Sequence, residues 1–316
     1  MKKKWITASA AMVLAMAALA AQSEYPSYLI MDGTTVTGHT GKVPADLVIP
    51  NGVQKIGGRA FSGCDSLDSV TIPSSVKTIG EYAFQGCIYL EHVTIDNGVQ
   101  TIGERAFSSC TSLASMTIPD GVQTIGKHAF YGCTSLTSVT LPGSVQTISE
   151  SAFEGTSLVS VTIPDGVQII GWGAFFVCTS LASVTIPDSV KTIGTHAFRN
   201  CTSLASVTIP GSVQTIGEHA FAGCTSLASV TIGDGVQTIG ERAFSSCTSL
   251  ASVTIPDGVQ TIGKHAFYGC TSLASMTIHG SVQTISESAF EGTSLVSVTI
   301  PEGVQTIGWG AFFNCT

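Results

Sequence analysis

The chain has 316 residues, of which 44% are hydrophobic, 11% charged and 7% aromatic, and its formal net charge is −8. High apolar content with so little charge excludes an intrinsically disordered chain. The acidic balance argues against nucleic-acid or anionic-lipid binding, the more so because Lys2, Lys3 and Lys4 all lie in the first four residues.

Those lysines precede an apolar, small-residue run from Ile6 to Ala21 that ends Ala18-Leu19-Ala20-Ala21. A basic start, a short apolar stretch and an A-x-A site read as a secretory signal peptide over residues 1–20. A membrane anchor is the alternative, but the run is shorter than the ~20 residues of a spanning helix. The mature chain is therefore expected to be secreted or held at the cell surface. Residues 21–46 read as an N-terminal cap, in which Tyr28 to Met31 and Thr34 to Thr37 flank Asp32-Gly33, a hairpin turn signal.

Residues 47–316 are one repeat. Ala-Phe recurs with Phe at 61, 84, 107, 130, 153, 175, 198, 221, 244, 267, 290 and 312, at spacings of 23 or 22. A fixed period of this size signals a solenoid, so length does not count domains here. A typical unit, Leu113 to Ser135, places apolar residues at Leu113, Met116, Ile118, Val122, Ile125, Ala129, Phe130 and Cys133. Met116 and Ile118 alternate with Ser115 and Thr117, the period of a half-buried strand. Pro119 ends that strand because it has no N–H, and Pro-Asp-Gly makes a turn in which Gly supplies positive φ. Val122 to Ile125 is a second extended piece. Gly126 then reads as the N-cap of a helical turn through Ala129-Phe130, a position where Ser149 and Ser286 serve equally. One such unit cannot bury enough surface to fold alone, so stability arises between neighbours. A longer repeat is superposed: Gly103 to Phe176 nearly matches Gly240 to Phe313 at an offset of 137.

The unit LxxVTIPxxVxxIGxxAFxxCxS resembles the BspA-type leucine-rich repeat of bacterial and protozoan surface proteins, over residues 28–316. The resemblance implies a leucine-rich-repeat type, right-handed β/α solenoid with a parallel strand sheet, short helical turns and an N-terminal β-hairpin cap. It also implies cell-surface adhesion and protein binding, with extracellular matrix or plasma proteins such as fibronectin and fibrinogen as partners. The inward Asn ladder of the commonest leucine-rich repeats is missing, and Pro-Asp-Gly occupies that corner.

The ten Cys each sit three residues after a repeat Phe. They read as one column of buried thiols; disulfides between adjacent rungs are an alternative, and the lack of any C-x₂-C pair argues against zinc. His128, His196, His219 and His265 share another column, read as exposed polar residues, with His196 and His219 on adjacent rungs as the one possible metal pair. No nucleophile, base and orienter converge, so neither an enzyme nor a cofactor is expected. Two N-x-[ST] sites, at Asn200 and Asn314, follow from the repeat's own Cys-Thr.

Two sets of binding candidates remain. The strand face carries Ser and Thr in columns, including Ser115, Thr117, Ser138, Thr140, Ser160, Thr162, Ser183 and Thr185, either as a polar groove or simply as a solvated β-face. Variation between repeats concentrates around Ala-Phe, at residues such as Arg105, Trp172, Arg199, Arg242 and Trp309, types that dominate binding hot spots. Near-exact block duplication suits a structural spacer or self-assembly module as the competing reading. The sequence stops at Asn314-Cys315-Thr316, where the next strand would begin, so end-to-end association through an uncapped turn is also expected.

Overall fold

A computed structural model describes residues 25–316; the leader expected over residues 1–20 lies outside the described residues. The chain winds into a parallel-strand solenoid of twelve turns, preceded by a hairpin. The first eleven turns each contribute to three ladders, the twelfth adds no strand to the first of them, and the apolar column residues meet inside.

The first ladder holds three- and four-residue strands, from β3 (Asp46–Val48, numbered after the hairpin strands β1 and β2 described below) to Ser275–Ile278. Val or Met at the middle position points inward while Ser and Thr point out, as in Ser115–Thr117. Hydrogen-bonded pairing in this ladder runs in groups of two or three strands. A turn follows each strand, closed by Val122 N–H donating to the Pro119 carbonyl at 3.0 Å and repeated at Pro164 and Pro187. Proline thus opens the turn. The positive φ expected of the turn glycine occurs only at Gly52, at +93°. Elsewhere the requirement is room: a Cβ on Gly121 would stand 3.0 Å from the Asn97 carbonyl oxygen. Where serine replaces this glycine at Ser144, Ser189, Ser212 and Ser281, its hydroxyl donates across the rung, as from Ser189 to the Val167 carbonyl at 2.8 Å.

The second ladder consists of two-residue strands, from β4 (Lys55–Ile56) to Thr306–Ile307, with Ile turned inward in all but the last turn. It extends through Thr124–Ile125, breaks, and resumes from Thr147–Ile148 to the last turn. The hairpin strands β1 (Leu29–Asp32) and β2 (Thr35–His39) are antiparallel, and β2 adds in parallel to β4. The two-residue loop is Gly33-Thr34, one residue later than the expected Asp-Gly turn, with Gly33 at φ +56°. Glycine at the first loop position is the demand of a type II′ turn.

The third ladder corrects the sequence expectation. There is no helix among the described residues, so neither the β/α description nor the short helical turns hold. The Ala-Phe segment is bracketed by left-handed residues: His128 has φ +55° and Gly132 φ +67°. The same two positions are left-handed throughout, from Arg59 and Gly63 to Gly310 and Asn314. Alternation of right- and left-handed residues turns successive N–H groups in opposite senses. His128, Phe130 and Gly132 donate to Glu150, Ala152 and Glu154 of the next turn at 2.8–2.9 Å. Ala129, Tyr131 and Cys133 donate locally, three residues back, at 3.0–3.3 Å. Half of the amides thus link rungs, which a helix would forbid. Gly126 is consequently no N-cap; its own Cβ would stand 2.5 Å from the Gly103 carbonyl carbon and the Glu104 nitrogen.

The interior columns follow from this winding. The repeat phenylalanines stack from Phe61 to Phe312 with ring centroids 5.2–5.6 Å apart and near-parallel planes, an offset stacking that adds to burial. His39 of β2 lies parallel over Phe61 at 6.0 Å, and its Nε2 meets Cys64 Sγ at 3.2 Å. One side chain of the hairpin therefore covers two interior columns at once. At the other end the twelfth turn is covered by no rung among the described residues, and Ile307 and Phe313 are exposed.

Candidate functional site

The Ser and Thr columns occupy the outer side of the first ladder. Ser115, Thr117, Ser138, Thr140, Ser160, Thr162, Ser183 and Thr185 are all exposed. Ser138 pairs in register with Ser115, and Thr140 with Thr117; Ser160 and Thr162 pair likewise with Ser183 and Thr185. Ladder hydrogen bonding lapses between the strands of Thr140 and Thr162.

Arg105, Trp172, Arg199, Arg242 and Trp309 stand on a different surface, the ridge formed by the third ladder. The thirteen candidates therefore divide between two faces. Arg105 Nε lies 3.7 Å from Glu104 Oε1, and Arg242 lies 3.7 Å from Glu241. Trp309, 78% exposed, stacks on Phe313 at 6.5 Å.

Only one stretch of ridge draws several of these residues together. The Trp172 ring is 5.3 Å from His196, which stacks on His219 at 4.8 Å with planes 11° apart. Phe176 meets His196 edge-on at 6.2 Å, and the Arg199 guanidinium sits 5.7 Å from the Phe176 ring centre. Beside this stack a shallow pocket of about 330 Å³ is lined by Arg199, Asn200, His219 and Arg242, with small residues between them. Burial, reinforced by Arg199 and the neighbouring cations, holds both imidazoles below the usual histidine range; Glu218 and Glu241 oppose this. His196 Nδ1 is buried without a hydrogen-bond partner, as are His128 Nδ1 and His265 Nδ1. Histidine recurs here for a local reason: the position is left-handed, and histidine tolerates that conformation better than most residues.

The cysteine column is inside. Nine of the ten thiols are buried and all ten are free; Cys201 Sγ donates to the Phe175 carbonyl at 3.2 Å, and the pattern repeats along the column. Burial pushes the Cys133 and Cys224 thiols up to about 12 and Cys178 to about 11. In the 22-residue units Thr156 and Thr293 take the cysteine place, each donating to the carbonyl of the preceding Phe at 2.8–2.9 Å. No group of three His, Cys, Asp or Glu placed to hold a metal occurs among the described residues.

Three features escaped the sequence reading. The left-handed pairs around Ala-Phe carry no signal where Arg or Tyr occupies them, although Gly, Asn, Ser and His recur there. The covering role of His39 lies in a segment with no repeat to compare it with. A cavity of about 600 Å³, lined by Gln123, Thr124, Ile125, Ser144, Gln146, Thr147 and Ser149, coincides with the break in the second ladder.

A profile for the BspA type leucine rich repeat region (6 copies) matches residues 44–157, 106–226, 146–247 and 191–316. A leucine-rich cell surface protein from Faecalibacterium prausnitzii is 32% identical over 87% of this chain and 95% of its own, with a TM-score of 0.47. A leucine-rich repeat protein from Bacteroides ovatus is 29% identical over 89% and 88% of the two chains, with a TM-score of 0.46. The pneumococcal vaccine antigen PcpA shares the fold at a TM-score of 0.54 and 23% identity, over 86% of this chain and 80% of its own. Among curated proteins no match is found. No helix among the described residues is long and apolar enough to cross a membrane. With a profile that spans nearly the whole repeat region, the chain belongs to the BspA-type leucine-rich repeat family.

Proposed function

We propose that the protein is a secreted or cell-surface adhesion protein that binds other proteins without catalysing a reaction. The observation that carries this reading is the outer face of the first ladder, where exposed Ser and Thr recur in every unit from Ser115 to Thr185 and lie in register within each paired group of rungs. Hydroxyls donate and accept, so an extended partner meets the same weak contact many times. Linked weak contacts raise the effective affinity well above that of one. The family, and the cell-surface description of the Faecalibacterium relative, support the location. Fibronectin and fibrinogen are the partners to try first.

The test immobilises fibronectin and fibrinogen and measures retention of the full chain against an unrelated solenoid. Retention above that control, reduced when Thr162 and Thr185 are both changed to Lys, supports the reading. Equal retention removes both ligands. The near-exact copying of Gly103 to Phe176 as Gly240 to Phe313 favours a second reading, a spacer whose length is set by block number. A spacer predicts silence in the binding assay and unchanged attachment when one block is deleted and replaced by an inert solenoid of equal length.

A further inference from the structure

We propose that the ridge pocket of Arg199, His219 and Arg242, flanked by the Trp172–His196 stack, receives acidic side chains of a protein partner. The inference rests on the protein-binding reading above and locates one specific contact within it.

The place is singular in a repetitive body. Trp172 and Phe176 end the first copy of the duplicated block, and Arg242 lies at the start of the second. His196, Arg199, Asn200 and His219 belong to the two turns between the copies, so their combination occurs once. Elsewhere the ridge places Lys127 against Glu150 at 2.8 Å and Lys264 against Glu287 at 3.0 Å, spending each cation internally. Arg199 makes no ion pair among the described residues, and its guanidinium is steadied over the Phe176 ring. A stacked guanidinium keeps its in-plane N–H groups available for a carboxylate.

The pocket presents donors. Arg199 and Arg242 contribute guanidinium N–H groups and Asn200 an amide. His196 Nδ1, beside the pocket, is buried with no hydrogen-bond partner. Glu218 and Glu241 are the carboxylates nearest the stack, and neither lines the pocket. Glu241 engages Arg242 at the long distance of 3.7 Å, a contact an incoming carboxylate can outcompete with direct hydrogen bonds.

The site also has a pH sense. His196 faces His219, Arg199 and Glu218; His219 faces Arg199, Arg242 and Glu241. Burial, reinforced by the neighbouring cationic groups, favours the neutral form of both imidazoles, and a bound carboxylate favours their protonated forms. Binding therefore tightens as pH falls through the histidine range.

The test uses the full chain and a short fluorescent peptide of alternating Ser and Glu, with the Ser/Gln peptide as its neutral twin, read by anisotropy near pH 5.5 and near pH 7.5. The Glu peptide should bind and the Gln peptide should not, with tighter binding at the lower pH. Arg199→Gln with Arg242→Gln should weaken binding by about tenfold or more, while Lys127→Gln leaves it unchanged. His196→Asn with His219→Asn, which keeps a left-handed-tolerant residue, should abolish the pH dependence. Equal binding of both peptides, an unaffected double arginine variant with native circular dichroism, or full displacement by equimolar sulfate overturns the proposal. If the peptide fails while a whole protein partner is still captured, this site is wrong and the adhesion reading stands. If the peptide binds at the ridge and no protein partner is captured, the site stands and the adhesion reading falls.

Discussion

Gly217→Ala adds one carbon where two turns come close. The new Cβ would lie 2.6 Å from the Gly194 carbonyl carbon and 2.7 Å from the carbonyl oxygens of Gly194 and Ile193. Carbon atoms rest at about 3.5–4.0 Å, so the turns must part by roughly 1 Å. The atoms in the way are backbone, held by the Gly217 N–H bond to the Ile193 carbonyl at 2.9 Å and by the ladder on either side. Overpacking costs about 1–3 kcal/mol, the stretched hydrogen bond adds about 1, and the stiffer unfolded chain returns about 0.4–1. The net expectation is a loss of about 2 kcal/mol. Two natural residues bracket the estimate. Ser149 carries a Cβ in this column; there the second ladder is broken, and the Ser149 hydroxyl, not its amide, donates to the Ile125 carbonyl. Ser286 carries one too and keeps its N–H bond to Ile262 at 2.9 Å, so the column can yield without breaking. Urea unfolding of Gly217→Ala measures the global cost, and native-state amide exchange at residues 214–217 measures the local one, since long repeat arrays need not unfold in one step. The reciprocal Ser149→Gly should raise protection at Thr147 and residue 149 with little net change in stability. An alanine variant as stable and as protected as the parent would refute the view that close backbone approach explains this glycine column.

Other expectations follow from the interior and the ridge. Val177 is β-branched at φ +57° where other turns hold Gly, Ser or Asn, so Val177→Asn should stabilise by about 1 kcal/mol in thermal or urea unfolding. Phe198→Ala removes a fully buried ring stacked at 5.2 Å on both Phe175 and Phe221 and should cost about 3–5 kcal/mol by the same assay. His39→Ala uncovers Phe61 and Cys64 together, and should speed alkylation of Cys64 in the folded protein while leaving Cys201 protected, as peptide mapping would show. Burial raises the folded-state pKa values of the Cys133, Cys178 and Cys224 thiols, so the contribution of these neutral thiols to stability is complete below the ordinary thiol range. It should decline as pH rises from about 9 towards about 12, the value of Cys133 and Cys224, in an unfolding series that holds a reductant constant.

Much of this architecture was legible in the sequence because a repeat supplies its own comparison. Twelve Phe at spacings of 23 or 22 fix the turn, and the Val-x-Ile alternation fixes which strand side is buried. The cysteine column was legible for the same reason. The Ala-Phe segment misled because its apolar pair, a preceding Glu and a nearby Gly look like a short amphipathic helix. What distinguishes it is backbone handedness at residues such as Arg105, which leaves no mark on composition when the side chain points to solvent. The binding candidates were legible as a list but not as a place: Arg199 and Arg242 lie 43 positions apart, and only the winding puts them around one pocket with His219.

The same backbone explains where this protein can be specific. A residue in the first ladder must fit a pleated, half-buried surface, so Ser, Val and Thr recur and every rung offers the same contact. A residue at a left-handed position of the third ladder answers to a narrower demand, tolerance of a positive φ. Arg59, Tyr82, His128, Ser151 and His219 all satisfy that demand at equivalent positions. Variation there leaves the core untouched, whereas variation at Phe or Cys positions would disturb two neighbouring turns at once. A repetitive solenoid thus separates its demands: the strand face repeats one surface, and the ridge between Trp172 and Arg242 carries a combination of side chains that is not repeated.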